Sequence, residues 1–177
     1  MGNDCLRRNF CVMNEENTVL DTVIEVGISL LVGYTISRFV RIALARGESM
    51  LPTIRNNQPI LLDCRAYQRR EPKRQDLIVF KSHQKNQPKL FLKRVIAIPG
   101  DHLKIVRGKV YLNGELLNEP YLNEEMRRYE KIDVIIDEGH LFVMGDNRNH
   151  SLDSRATSLG QINIKKDVIG VVKQFRK

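Results

Sequence analysis

Ser49, in Arg46-Gly47-Glu48-Ser49-Met50-Leu51-Pro52-Thr53, stands just after an apolar segment and at the entrance to everything that follows. It is the candidate nucleophile of this chain. A serine hydroxyl attacks poorly unless a base takes its proton. The well-placed base in an apolar strand is Lys93, in Leu90-Phe91-Leu92-Lys93-Arg94-Val95-Ile96-Ala97-Ile98. Strand alternation puts Lys93 on the face that carries Phe91, Val95 and Ala97. Such apolar surroundings disfavour an ammonium and lower its pKa, so the amine is neutral often enough near pH 7 to accept the Ser49 proton. An arginine stays charged and could not do this. A third stretch, Gly145-Asp146-Asn147-Arg148-Asn149-His150-Ser151-Leu152-Asp153-Ser154-Arg155, is a dense polar loop between strands, the kind of segment that orients a site. Pairing of Asp146 or Asp153 with Arg94, Arg148 or Arg155 would fix that loop. Each stretch alone also has an ordinary reading: a turn serine, a lysine snorkelling at a sheet edge, a self-satisfied polar turn.

Together the stretches resemble the bacterial type I signal peptidases, which cut leader peptides from secreted proteins. The resemblance is carried by Gly-x-Ser-Met-x-Pro-Thr at Gly47 to Thr53, an Asp-x-x-Val-Phe-like box at Asp76 to Phe80, Lys-Arg-Val-Ile-x-x-Pro-Gly-Asp at Lys93 to Asp101, and Gly-Asp-Asn-Arg-x-x-Ser-x-Asp-Ser-Arg at Gly145 to Arg155. It implies Ser49 as nucleophile, Lys93 as general base and Ser151 as a hydroxyl that orients the lysine. Arg94, Asp146, Asp153 and Arg155 would hold them in place. Members with a serine two residues before the nucleophile use its hydroxyl in the oxyanion hole. This chain has Gly47 there, so backbone N–H groups, chiefly that of Ser49, must do more of that work. The resemblance also implies an extended substrate, added as a strand, with small side chains such as alanine in two shallow pockets.

The histidines, His83, His102, His140 and His150, lie in no nucleophile–base context and lack metal-ligand spacing, so neither a histidine base nor a metal is expected, and no cofactor. Net charge is +8 with 6% aromatic residues. With no zinc spacing or base-stacking signature, that charge points to an anionic lipid bilayer as partner and away from nucleic acid. Cys5, Cys11 and Cys64 are an odd set without ligand spacing; Cys64 reads as a buried small hydrophobe, and no disulfide framework is expected.

These groups need elements to position them, and 177 residues allow one catalytic body plus an anchor. Residues 1–17 are polar and read as a tail, with Met13 an alternative translation start. Residues 18–45 read as a helical membrane anchor. Asp21, Glu25, Arg38 and Arg41 intrude, leaving only Val26 to Ser37 free of charge, which is short for a span of about 17 to 25 apolar residues. Hydropathy alone therefore leaves a surface-lying amphipathic helix equally open, and the resemblance favours a single span. Arginines after the segment outnumber those before it, which would keep the body in the cytoplasm. Large domains translocate with little regard to charge, and the resemblance implies a bacterial cell-membrane protein with its catalytic side extracytoplasmic.

Residues 46–177 read as the serine endopeptidase domain, mainly β, with an antiparallel, barrel-like sheet. Short β-like runs are expected at Pro59–Asp63, Asp76–Lys81, Leu90–Ile98, Leu103–Val106, Lys109–Leu112, Glu115–Leu117, Ile132–Ile136, His140–Met144 and Val168–Phe175. Turns at Arg107-Gly108 and Asn113-Gly114 make residues 103–117 a three-strand meander. Ala66 to Arg74 and Asn118 to Lys131 read as exposed loops. The resulting expectation is a membrane-anchored serine endopeptidase acting on preprotein signal peptides through an acyl-enzyme. Two rivals remain. A self-cleaving repressor with a serine–lysine β-domain would need an N-terminal DNA-binding domain. A basic β-module docked on anionic lipid would require Ser49 and Lys93 to be far apart.

Overall fold

The computed structural model describes residues 15–84, 87–127 and 131–173. Cys5, Cys11, Met13 and most of the expected tail lie outside them. The chain divides at Arg38/Phe39 into a helical unit and a β unit.

The helix α1 runs Glu15–Phe39. Its apolar side chains from Val19 to Tyr34 are exposed. At 100° per residue they cover most of the circumference, leaving one narrow stripe of Thr22, Glu25, Ser29 and Gly33. Among the described residues, no helix is long and apolar enough to cross a membrane. Asp21 and Glu25 dilute the apolar run at one end.

The helical segment was expected to reach residue 45, yet Val40–Leu44 forms strand β1. Val40 and Ile42 are β-branched residues on either side of Arg41, which suits a pleated ladder. Each residue of β1 has an antiparallel partner in β2 (Pro59–Asp63), from Val40 opposite Asp63 to Leu44 opposite Pro59. The β unit therefore needs residues before Arg46. A chain beginning at Phe39 should fold with full stability. One beginning at Ala45 should lose on the order of 2 to 4 kcal/mol, because five residues of ladder and the cover over Ile60 and Leu62 go with β1. Equal urea midpoints for the two would refute this.

Beyond β2 come a short helix α2 (Ala66–Arg69), β3 (Leu77–Gln84), β4 (Gln87–Ala97), β5 (His102–Val106), β6 (Lys109–Leu112), β7 (Glu115–Leu116), β8 (Ile132–Ile135), β9 (His140–Met144), β10 (Ile162–Asn163), a one-turn helix α3 (Ile164–Asp167) and β11 (Val168–Val172). They make two antiparallel sheets, ordered β1-β2-β11-β3-β4-β9-β10 and β7-β6-β5-β8. The expected antiparallel, mainly β class holds. The barrel-like form does not: among the described residues, β1 and β10 are the edge strands at opposite ends of an open sheet, each paired on one side only. The meander is present as β5-β6-β7, and both its turns take two positive φ angles, at Arg107 and Gly108 and at Asn113 and Gly114. That is the geometry a two-residue hairpin needs to match strand twist.

β4 lies between β3 and β9, so Lys93 to Ala97 are buried on both faces. Val95 pairs with Val143 and Ala97 with Phe142, leaving Ile96 as an extra residue in a bulge. Ala97 consequently packs with Ile96, Leu103 and Ile105, whereas Val95 packs with Ile78, Phe80 and Val143. The expected sharing of one face by Lys93 and Ala97 is corrected: strict alternation stops at the bulge. Cys64 is a free thiol, only half-buried, against the cluster of Ile60, Leu62 and Val79.

Candidate active site

Lys93 reaches the site from the middle of β4, where its side chain is carried inside the sheet and the residue is 3% exposed. Its Nζ lies 2.7 Å from Oγ of Ser49 and donates to the carbonyl oxygen of Leu92 at 3.1 Å. The Phe91 ring centroid is 5.7 Å from the same nitrogen. Burial pushes the Lys93 pKa down from 10.5 to about 8, against the opposing pull of Asp153 and Asp146, and Arg155 adds to the fall. At pH 7 that leaves about one amine in ten neutral, roughly 300-fold more than an unperturbed lysine would supply.

Ser49 sits on a turn anchored from below. Met50 and Ile54 are buried, and the Ile54 N–H donates to the Met50 carbonyl at 2.9 Å. Gly47 takes a φ of +95°, a conformation that costs a glycine nothing and strains a side chain. The glycine that departs from the family's serine therefore fits the backbone found here. The Gly47 N–H donates to Oδ1 of Asn56 at 2.9 Å.

The polar loop grips this turn. Asn147 donates its N–H to the Ser49 carbonyl at 3.0 Å and its side-chain amide to the Glu48 carbonyl at 3.2 Å. Two expected ion pairs form. Arg94 binds Asp146 through Nε at 2.7 Å and Nη2 at 2.6 Å, with Thr53 donating its hydroxyl to the same carboxylate. Arg155 binds Asp153 at 2.7 and 2.9 Å, and Asp153 also accepts the Gly145 N–H at 2.9 Å. Asp146 and Asp153 are almost completely buried, so both charges depend on these partners.

Two expectations change. The Ser151 hydroxyl is buried but has no hydrogen-bond partner among the described residues, Lys93 included. It packs against Gly145 instead: a Cβ on that glycine would lie 2.5 Å from the Ser49 carbonyl oxygen, 2.6 Å from the Ser151 Cβ and closer still to the Ser151 Oγ. The segment from Asn118 is also no mere solvated loop. Its Glu119 pairs with buried Arg148, and its Tyr121 ring lies 3.9 Å from the Arg94 guanidinium carbon. Sequence reading missed Thr53, Glu119 and Tyr121; the one hint was that three arginines, Arg94, Arg148 and Arg155, shared two acids. In Ala66 to Arg74 the arginines are likewise engaged, Arg70 with Asp76 and Arg74 with Asp101.

A cleft of about 220 Å³ opens beside the pair, with Ala45, Met50, Ile54, Phe91, Leu92 and Leu152 as apolar wall. A larger cavity, about 430 Å³, is lined by Cys64, Tyr67, Ile164, Val168 and Gly170 and contains neither Ser49 nor Lys93. Among the described residues, no cluster of His, Cys, Asp or Glu is arranged to hold a metal ion. A hydroxyl touching a partly neutral amine at the wall of an open cleft is equipped for nucleophilic attack on a carbonyl carbon.

Residues 18–175 match the family model described as signal peptidase, peptidase S26. The chain is 32% identical to signal peptidase I of Bacillus licheniformis, over 89% of this chain and 88% of that one. It is 29% identical to signal peptidase I P of Bacillus subtilis subsp. natto over the same shares. Signal peptidase I U of Bacillus subtilis strain 168 is 36% identical over 66% of each chain.

Proposed function

The chain belongs to the signal peptidase, peptidase S26, family, and from that premise we propose that it removes signal peptides from preproteins by acylation of Ser49, with Lys93 as base. The observation that carries this assignment is the 2.7 Å contact between a buried lysine amine and the serine hydroxyl. Neutral Nζ takes the Ser49 proton as Oγ attacks the scissile carbonyl carbon. The oxyanion is met by backbone N–H groups, chiefly that of Ser49. The ammonium then gives its proton to the departing amine, leaving an ester on Ser49. Neutral again, Nζ deprotonates a water that attacks the ester and restores the hydroxyl. In this reading Arg94, Asp146, Asp153 and Arg155 hold the loop, and Ser151 offers its unpartnered hydroxyl to the lysine as the charge on Nζ changes. The substrate lies extended in the cleft, and small side chains fill its shallow apolar wall.

The helix α1 is the membrane element of this proposal, with the catalytic unit on the extracytoplasmic side of a bacterial membrane. Support comes from apolar side chains spread over most of its circumference, where a surface-lying helix would show a broad polar face. Anionic lipid is the complement to the net charge of +8.

The test is kcat/KM against pH for the full-length protein cutting a preprotein, with the product sequenced to establish one cut at the signal-peptide junction. The profile should rise with pH to a midpoint near 8, following the Lys93 ionisation. A rising limb near 6.5 that moves on mutating a histidine would replace the dyad by a histidine base. Stability carries the same sign. The folded pKa of about 8 lies below the unfolded 10.5, so the unfolded chain binds more protons between those values. Lys93 alone should therefore add on the order of 3 kcal/mol of stability as pH climbs through that window, and the gain is absent below about pH 8.

A further inference from the structure

The arginines nearest the catalytic loop are themselves held by one short segment, and we propose that this segment, through Glu119 and Tyr121, is a positioning element for the Ser49–Lys93 reaction. The inference rests on that dyad being the catalytic pair.

Arg148 is the centre of the argument. Its side chain is 1% exposed and that of Glu119 9%. A cation so deeply buried persists only when paired. Glu119 accepts from Nη1 at 2.9 Å and, closer, from Nη2. With the fork so engaged, Nε is left to donate to the Gly145 carbonyl at 3.1 Å. Gly145 is the residue packed against the Ser49 carbonyl and the Ser151 side chain. The Arg148 carbonyl in turn accepts from Nη2 of Arg155 at 2.7 Å, the arginine that binds Asp153. Tyr121 closes the other side. Its hydroxyl donates to Oε1 of Glu119 at 2.7 Å, while its ring covers Arg94, the Asp146 partner and chain neighbour of Lys93. The segment thus touches Arg148 and Arg94 and neither reacting atom.

What separates positioning from plain stability is what Arg148 would do without Glu119. The other carboxylate whose charge already acts on Arg148 is Asp153. Asp153 is committed to Arg155 and to the Gly145 N–H. It also faces Lys93, together with Asp146, Arg155 and the Phe91 ring. A guanidinium that turns to Asp153 displaces Gly145, and with it the Ser49 turn. It also weakens the carboxylate's hold on the Lys93 ammonium. The first effect appears in kcat and the second in the pH midpoint.

The experiment uses the full-length protein in detergent micelles, a preprotein substrate, and rates per folded molecule. Glu119→Gln should lower kcat roughly tenfold to a hundredfold, leave KM within about twofold, and move the rising limb of kcat/KM to lower pH. Tyr121→Phe, which keeps the ring on Arg94 and loses only the hydroxyl, should show a smaller fall in kcat in the same direction. Adding Arg148→Gln to Glu119→Gln should return the pH midpoint to that of the wild type while kcat stays low, since the unpaired cation is gone but Gly145 has lost its charged donor. A wild-type kcat and an unmoved midpoint in Glu119→Gln, even with a lower Tm, overturn the inference and leave the dyad standing. If Glu119→Gln does not fold, Tyr121→Phe decides by the same two readouts. Full activity in Lys93→Met would instead overturn the dyad itself.

Discussion

Replacing Ser49 by alanine, or Lys93 by methionine, is expected to lower kcat for preprotein cleavage by about 10⁴-fold or more while the protein remains folded. Ser49→Ala removes the oxygen that would form the ester. Lys93→Met keeps the length of the side chain between Phe91 and Val95 and removes only the nitrogen that sits 2.7 Å from that oxygen. Methionine should also raise Tm, because a buried amine whose charged form is disfavoured gives way to a thioether of similar volume. Lys93→Arg should be as inactive as Lys93→Met and less stable, since a guanidinium cannot shed its proton and is bulkier than the space it enters. The two residues act on one proton, so Ser49→Ala combined with Lys93→Met should be no slower than either alone. Retention of more than a few per cent of wild-type kcat by any of the single variants would remove that residue from the mechanism. The contact also bears on the lipid-docked β-module, whose premise was a Ser49 remote from Lys93.

Much of the catalytic unit was legible because its signals are local. Pro59–Asp63, Lys109–Leu112 and His140–Met144 are strands at the boundaries expected of their short β-like runs, and Asn113-Gly114 turns where its residues require. Lys93 stood out as a charge in an apolar run, and the structure buries it. Other features depend on distant partners. Val40–Leu44 follows the helix with no glycine or proline between them, and only its pairing with β2 makes it a strand. The bulge at Ile96 arises from the register with β9, which no residue of β4 announces. Glu119 meets Arg148 across 29 positions, from a segment whose polarity reads as solvated. Openness of the sheet follows from which strands end up at its edges, a matter of global order that alternation does not encode.

The loop carries the second large prediction. Gly145→Ala should lower kcat by about a hundredfold and cost on the order of 1 to 3 kcal/mol of stability, measured as kcat and as the urea midpoint at pH 7. Positive φ is not the reason, since Gly145 is absent from the residues with left-handed backbone. Space is the reason. The added methyl would meet the Ser49 carbonyl oxygen at 2.5 Å and the Ser151 Cβ at 2.6 Å, with the Ser151 Oγ nearer still, and two of these three atoms cannot swing aside on a flexible side chain. Gly145 cannot easily retreat, because its N–H is bound by Asp153 and its carbonyl by Arg148. The displacement therefore passes to the Ser49 turn, which the Asn147 N–H holds at 3.0 Å. Ser151→Gly in the same chain removes both serine contacts and leaves the one with the Ser49 carbonyl. That double variant should regain most of the lost stability but little of the lost kcat. Recovery of both would put the obstruction at Ser151 alone, and a Gly145→Ala rate within twofold of wild type would mean that the Ser49 turn does not depend on this contact.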